Sequence, residues 1–82
     1  MLDPKVCKAA RELLGWNQVY LARRAGLGES TLRAFEARRN KLIPENVVAI
    51  RLALKNGGVE FGGEVEGYEK YEWVRLRPPN PH

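Results

Sequence analysis

A mainly α fold, four short helices followed by a pair of short strands, is what the sequence predicts, and three observations carry it. Apolar residues recur at helical spacing in successive runs before residue 58. Capping and breaking residues bound those runs: Asp3-Pro4, Gly15, Asn17, Gly26, Pro44 and Gly57-Gly58. After Gly58 the pattern changes to two alternating segments, "VEF" and "WVRLR", separated by the Gly/Glu/Tyr-rich "GGEVEGYEKYE".

The first helix starts at Asp3-Pro4, where the carboxylate caps free N–H groups and proline suits the first helical position. Val6, Ala9, Ala10 and Leu13 then repeat at i, i+3, i+4 and i+7, an inward stripe, and Gly15 ends the helix. Asn17 caps a second helix that runs to about Ala25 with Leu21, Ala22 and Ala25 inward. Gly26 stops it, because glycine reaches positive φ at little cost. A third helix, about 29–37, buries Leu32 and Phe35 and turns Glu29, Ser30, Arg33 and Ala34 outward. The basic loop "RRNKLIP" leads to a fourth helix opened by Pro44, with Val47, Ile50 and Leu54 inward. "PPNPH" is expected to fray.

Eighty-two residues make one domain. No apolar run approaches the roughly 20 residues that cross a bilayer, and no charged-then-apolar leader precedes the first helix, so a cytoplasmic protein is expected. The single Cys7 cannot form an internal disulfide and is expected to pack as a small hydrophobe. One cysteine and one histidine, Cys7 and His82, are too few for a four-ligand zinc site, so no metal is expected. Phosphate-binding Gly-rich loops and nucleophile–base sets are also missing from the inventory; neither an enzyme nor a cofactor is expected. The net charge of +4 is unevenly spread. Through Gly58 eleven Lys/Arg face five acids, whereas from Val59 onward three basic residues face five acids. A basic body suits a polyanion, and equally an ordinary solvated surface.

Spacing decides between them. Counted from Gln18, the fifth residue is the small Ala22 and the ninth is Gly26; the fourth, eighth, fifteenth and eighteenth are apolar, namely Leu21, Ala25, Leu32 and Phe35. Two helices crossing at roughly 90–120° need a small side chain where they touch and a glycine where the chain turns left-handed. Apolar residues on each inner side fix the crossing and leave the outer side of the second helix free to enter a major groove. This is a helix-turn-helix over 18–37.

At "ARELLGWNQVYLARRAGLGESTLRAFEARRN" the chain resembles the Cro/CI-type (XRE-type) helix-turn-helix regulators, over about residues 4–57. The resemblance implies a lambda-repressor-like DNA-binding bundle of four to five helices. Residues 1–58 would be the DNA-binding domain, with a recognition helix at about 29–37, in a homodimer on a near-palindromic operator. The chain departs from the family in three places. Gly28 stands where Ser, Thr or Pro is usual; Arg38 stands where glycine is common; and a strand pair takes the place of a full fifth helix.

Roles follow from the resemblance together with side-chain chemistry. Glu29, Ser30, Arg33 and Ala34 are expected to read bases: Arg33 at the O6/N7 edge of guanine, Glu29 from a cytosine amino group unless it only complements the helix N-terminus, Ala34 at a thymine methyl. Asn17, Gln18, Thr31, Arg38, Arg39, Asn40 and Lys41 are expected on phosphates, which supply affinity rather than sequence. The family pairs an arginine of the first helix with the glutamate ending the recognition helix, which implies a structural ion pair between Arg11 and Glu36. Trp16 is read as a plug near the first turn. Residues 59–82 form a strand extension whose open edges suggest a dimerisation element, with Val59, Phe61, Trp73, Val74 and Leu76 as its candidate residues.

The expected function is a sequence-specific transcriptional regulator, a repressor by default, since the second helix shows Tyr20, Arg23 and Arg24 and no acid for an activating patch. The competing reading is an adaptor, antiactivator or antitoxin whose bundle binds a protein partner. The excess of acids after Val59 motivates it. The expected partners are therefore double-stranded DNA and a second copy, with a protein partner under the competing reading and no membrane under either.

Overall fold

The computed structural model describes residues 2–62 and 73–78. Of the loop expected at 62–72, all but Gly62, which ends β1, lies outside the described residues, as does the expected frayed end at 78–82 beyond Pro78. The chain runs α1 (Pro4–Leu13), α2 (Gln18–Ala25), α3 (Glu29–Glu36), α4 (Pro44–Gly57), β1 (Val59–Gly62) and β2 (Trp73–Leu76). α2 packs against both α3 and α4, α1 packs against α3 and β2, and β1 packs against α4.

Local chemistry sets most of the boundaries. The Asp3 carboxylate accepts the Lys5 amide at 2.7 Å to start α1, and Asn17 Oδ1 accepts the Tyr20 amide at 2.8 Å to start α2. α2 stops at Gly26, at φ 74°; the Leu27 amide then reaches back to the Ala22 carbonyl at 2.8 Å. α3 ends in the same kind of turn without a glycine. Arg38 takes φ 61°, its amide bonds the Phe35 carbonyl at 3.0 Å, and the Arg39 amide bonds that of Ala34 at 2.9 Å. The turn therefore closes tightly even with an arginine in the left-handed position.

The face of α1 corrects the expected stripe. Cys7 and Ala10 are fully buried, with Val6 and Leu14 packed beside them, whereas Ala9 is exposed and Leu13 is 43% exposed. Both stripes satisfy helical periodicity. The choice is made by Arg11, which turns inward to meet Glu36 and takes the flanking positions 7, 10 and 14 in with it. Leu2, not anticipated as core, is 1% exposed. It precedes the Asp3 cap, and Cys7 is the fourth helical residue, so the two occupy the positions of a hydrophobic staple.

Leu21, Leu32, Ile50, Leu54 and Val59 form the centre of the core, all 0–1% exposed. Trp16 leans on Gly57: a Cβ there would lie 2.5 Å from the indole ring, so glycine makes room for the plug. The strands pair antiparallel, with Val59 opposite Leu76 and Phe61 opposite Val74. Val59, Phe61 and Val74 pack into or against the core. On the other side the Trp73 ring lies directly over Gly62, and Arg75 stacks on Trp73 while pairing with Glu60 at 2.9 Å. The residue after β2 also finishes α4, because the Arg77 guanidinium donates to the Lys55 carbonyl at 2.7 Å.

Candidate nucleic-acid interface

The elbow between α2 and α3 puts Ala22, 2% exposed, among the buried residues, with Gly26 at the turn. Leu32 and Phe35 fasten the inner side of α3 to the core. Its outer side presents Ser30, Thr31 and Arg33, all exposed, with Glu29 and Ala34 half-buried beside them. Arg33 and Glu29 form an ion pair one helical turn apart, their side chains 56% and 41% exposed. Gly28 occupies the N-cap of α3 and supplies no side-chain bond.

The other end of α3 is held from within. Arg11 Nε donates to Glu36 Oε2 at 3.0 Å, and its terminal nitrogen donates to Oε1 at 2.8 Å, a two-point fork. The side chains are only 11% and 3% exposed. Arg11 also donates to the Trp16 carbonyl at 2.9 Å, Gln18 Nε2 to Glu36 Oε1 at 3.1 Å, and the Cys7 thiol to Oε2 at 3.5 Å. One carboxylate thus ties α3 to α1 and to the first residue of α2. Among the described residues no buried side-chain polar atom lacks a partner.

Burial by itself works to raise the Glu36 pKa, but hydrogen bonds from Arg11 and Gln18, with the arginine charge, outweigh it and hold the carboxyl below its ordinary value. Arg11 is raised in turn, chiefly by its hydrogen bond to Glu36. Burial pushes the Cys7 thiol well up, and the neighbouring carboxylate adds to the effect. Cys7 is a neutral packing thiol with a weak donor role, without the depressed pKa of a reactive cysteine.

Apart from Thr31, exposed on the outer side of α3, the sites expected on phosphates fall into three groups. Arg39, Asn40 and Lys41 are exposed just beyond α3, as is Arg38, whose guanidinium reaches Asp3 at 3.3 Å. Asn17 uses its side-chain oxygen to cap α2, which leaves its amide hydrogens. Gln18 is half-buried and commits one of its amide hydrogens to Glu36, leaving the second hydrogen and the carbonyl oxygen. The fold also brings in Lys8, which was not singled out from sequence. An open recess is lined by Lys8, Arg11, Asn17, Gln18, Arg33, Glu36 and Ala37. An exposed lysine on α1 looks like any solvated charge until the fold sets it on the same recess as Arg33. Arg24 lies elsewhere, 5.5 Å over both the Trp16 and Tyr20 rings.

The candidate dimer residues separate in the same way. Val59 is 1% exposed and belongs to the chain's own core, and Phe61 and Val74 pack against that core; Trp73 and Leu76 are 46% and 49% exposed.

Among the described residues no group of three or more His, Cys, Asp or Glu is placed to hold a metal ion, and no helix is long and apolar enough to cross a membrane. A family model described as "Helix-turn-helix" matches residues 8–60, from the middle of α1 into β1. No curated protein matches the chain. The match covers more than half the sequence and spans the elbow, α3 and the Arg11–Glu36 tie. The family is a DNA-binding regulatory one and generally non-enzymatic. A glycine elbow, an outward α3 and a family match over both lead to one conclusion: the chain belongs to the Cro/CI-type (XRE) helix-turn-helix family and is a DNA-binding transcription regulator.

Proposed function

We propose that the protein is a sequence-specific repressor that binds a near-palindromic operator as a cytoplasmic homodimer, placing one α3 in the major groove of each half-site. The observation that supports this most strongly is the contrast along α3. Its N-terminal outer side is open to solvent while its C-terminal end is locked to α1 and α2. Arg33 reads guanine, Glu29 accepts from a cytosine amino group, and Ser30 and Ala34 contact neighbouring base edges. Thr31, Asn17 and the remaining hydrogen of Gln18 approach one phosphate run, which Lys8 borders, and Arg38 to Lys41 follow another. Occlusion of a promoter is the mode of action, since α2 carries no acidic residue.

Selection of bound fragments from a random DNA pool, followed by salt titration of the winner, tests this reading. The expected result is a two-fold symmetric consensus, half-sites about one helical turn apart, and affinity that falls steeply with salt. Weak, sequence-blind binding at every salt concentration would overturn it in favour of a protein-binding adaptor.

A further inference from the structure

The outer side of α4 is not used by the core. Val48 and Leu52, four residues apart and therefore neighbours on one face, are 41% and 51% exposed. Glu45 lies exposed toward the start of the helix and Lys55 half-buried toward its end. These four positions share one property: Val48 with Leu52, and Glu45 with Lys55, are symmetric about Ile50, which points the opposite way and is fully buried. A two-fold axis passing over Ile50, perpendicular to the helix, sets a second α4 antiparallel on the first. It brings Val48 against Leu52 of the second copy and Glu45 against Lys55 of the second copy, each contact occurring twice. Pro44 meets Asn56 in the same register, and no two like charges meet among these pairs.

Such a self-complementary patch is what an isologous interface requires. We infer that the outer face of α4 is the homodimer interface, closed by an apolar Val48/Leu52 centre and two reciprocal Glu45–Lys55 ion pairs. The occupant is a second copy of this chain because the charges complement themselves about that axis. This assignment rests on the homodimer reading above. It gives the dimer a surface other than the hairpin, whose Val59, Phe61 and Val74 serve the chain's own core.

The test is sedimentation equilibrium of the full chain across the micromolar range, with half-site DNA binding measured on the same samples. Leu52→Glu places a charge near the axis from each copy and is expected to raise the dimer Kd by at least ~100-fold. Glu45→Lys alone and Lys55→Glu alone each set like charges in opposition twice, and each is expected to weaken the dimer by about 10-fold; the double variant is expected to return it to within about 3-fold of wild type. All of these positions are solvent-exposed or half-buried, so circular dichroism should show an unchanged fold. A wild-type chain that stays monomeric, a dimer indifferent to Leu52→Glu, or charge reversals that do not rescue each other would overturn the assignment. So would loss of the dimer on Trp73→Ser or Leu76→Ser with the α4 variants intact, which would move the interface to the hairpin. Half-site binding separates this failure from that of the functional reading. A monomer that still selects its half-site sinks only the interface, whereas an α4 dimer without DNA selectivity sinks only the regulator.

Discussion

The two ends of α3 each carry a glutamate paired with an arginine, and the pairs are built for opposite ends. Glu36 and Arg11 are 3% and 11% exposed, forked and tied further to Gln18 and the Trp16 carbonyl. Glu29 and Arg33 are 41% and 56% exposed, separated by one turn of the same helix. Two charges largely withdrawn from water cannot lose one member cheaply, because the survivor stays mostly buried without its partner. Exposed charges exchange partners with water and ions at little cost. The buried pair therefore fixes where the helix points, and the exposed pair can be traded for a base edge. Chemically identical groups divide the work by burial alone.

The largest expected effect breaks the buried pair. Glu36→Ala or Arg11→Ala should destabilise the fold by about 3–5 kcal/mol in urea denaturation, while Arg33→Ala should move stability by no more than about 0.5 kcal/mol. Equal effects at the two sites would remove the distinction. Acid sharpens the same comparison. The folded-state pKa of Glu36 is lowered, so its contribution is complete above the ordinary carboxylate pKa of about 4.5 and is lost as pH falls toward the folded value. Wild-type stability should accordingly decline on acidification through that range. Glu36→Gln should begin lower and decline less steeply.

A smaller effect is expected just past the locked end. Arg38 holds φ 61°, a conformation that costs a side-chain-bearing residue about 1–2 kcal/mol and glycine almost nothing. Arg38→Gly should stabilise the protein by about 1 kcal/mol or less, since glycine also gives the unfolded chain more freedom. If Arg38 contacts a phosphate, the same variant should bind DNA more weakly on all sequences, with a salt slope shallower by about one. Stability and affinity would then move in opposite directions. Parallel movement would place Arg38 off the phosphate run.

The legible parts of this molecule are those whose cause is local. Asp3, Asn17, Gly26 and Gly58 act within a turn or two of themselves, so they mark α1, α2 and α4 from sequence alone. The inward Leu21, Leu32, Phe35, Ile50 and Leu54 follow from helical spacing. The strand pair is likewise visible as a change of period. What sequence could not settle depends on partners distant in the chain. Which stripe of α1 faces inward is decided by Arg11 reaching Glu36, 25 residues on. The room for Trp16 is made by Gly57, and Lys8 acquires its neighbours only when α1 lies across α3. Gln18 resembles an outward phosphate donor by position, yet its amide turns partly inward because the Glu36 carboxylate has an oxygen to satisfy.

The most direct test of the central claim, that the open end of α3 reads sequence while its locked end only aims it, is a base-by-base substitution scan of the selected operator with wild type and Arg33→Ala. The account predicts that Arg33→Ala loses about 1–3 kcal/mol of discrimination at one guanine in each half-site, with preferences elsewhere and the salt slope nearly unchanged. A uniform drop across every position, or an operator preference left intact, would contradict it.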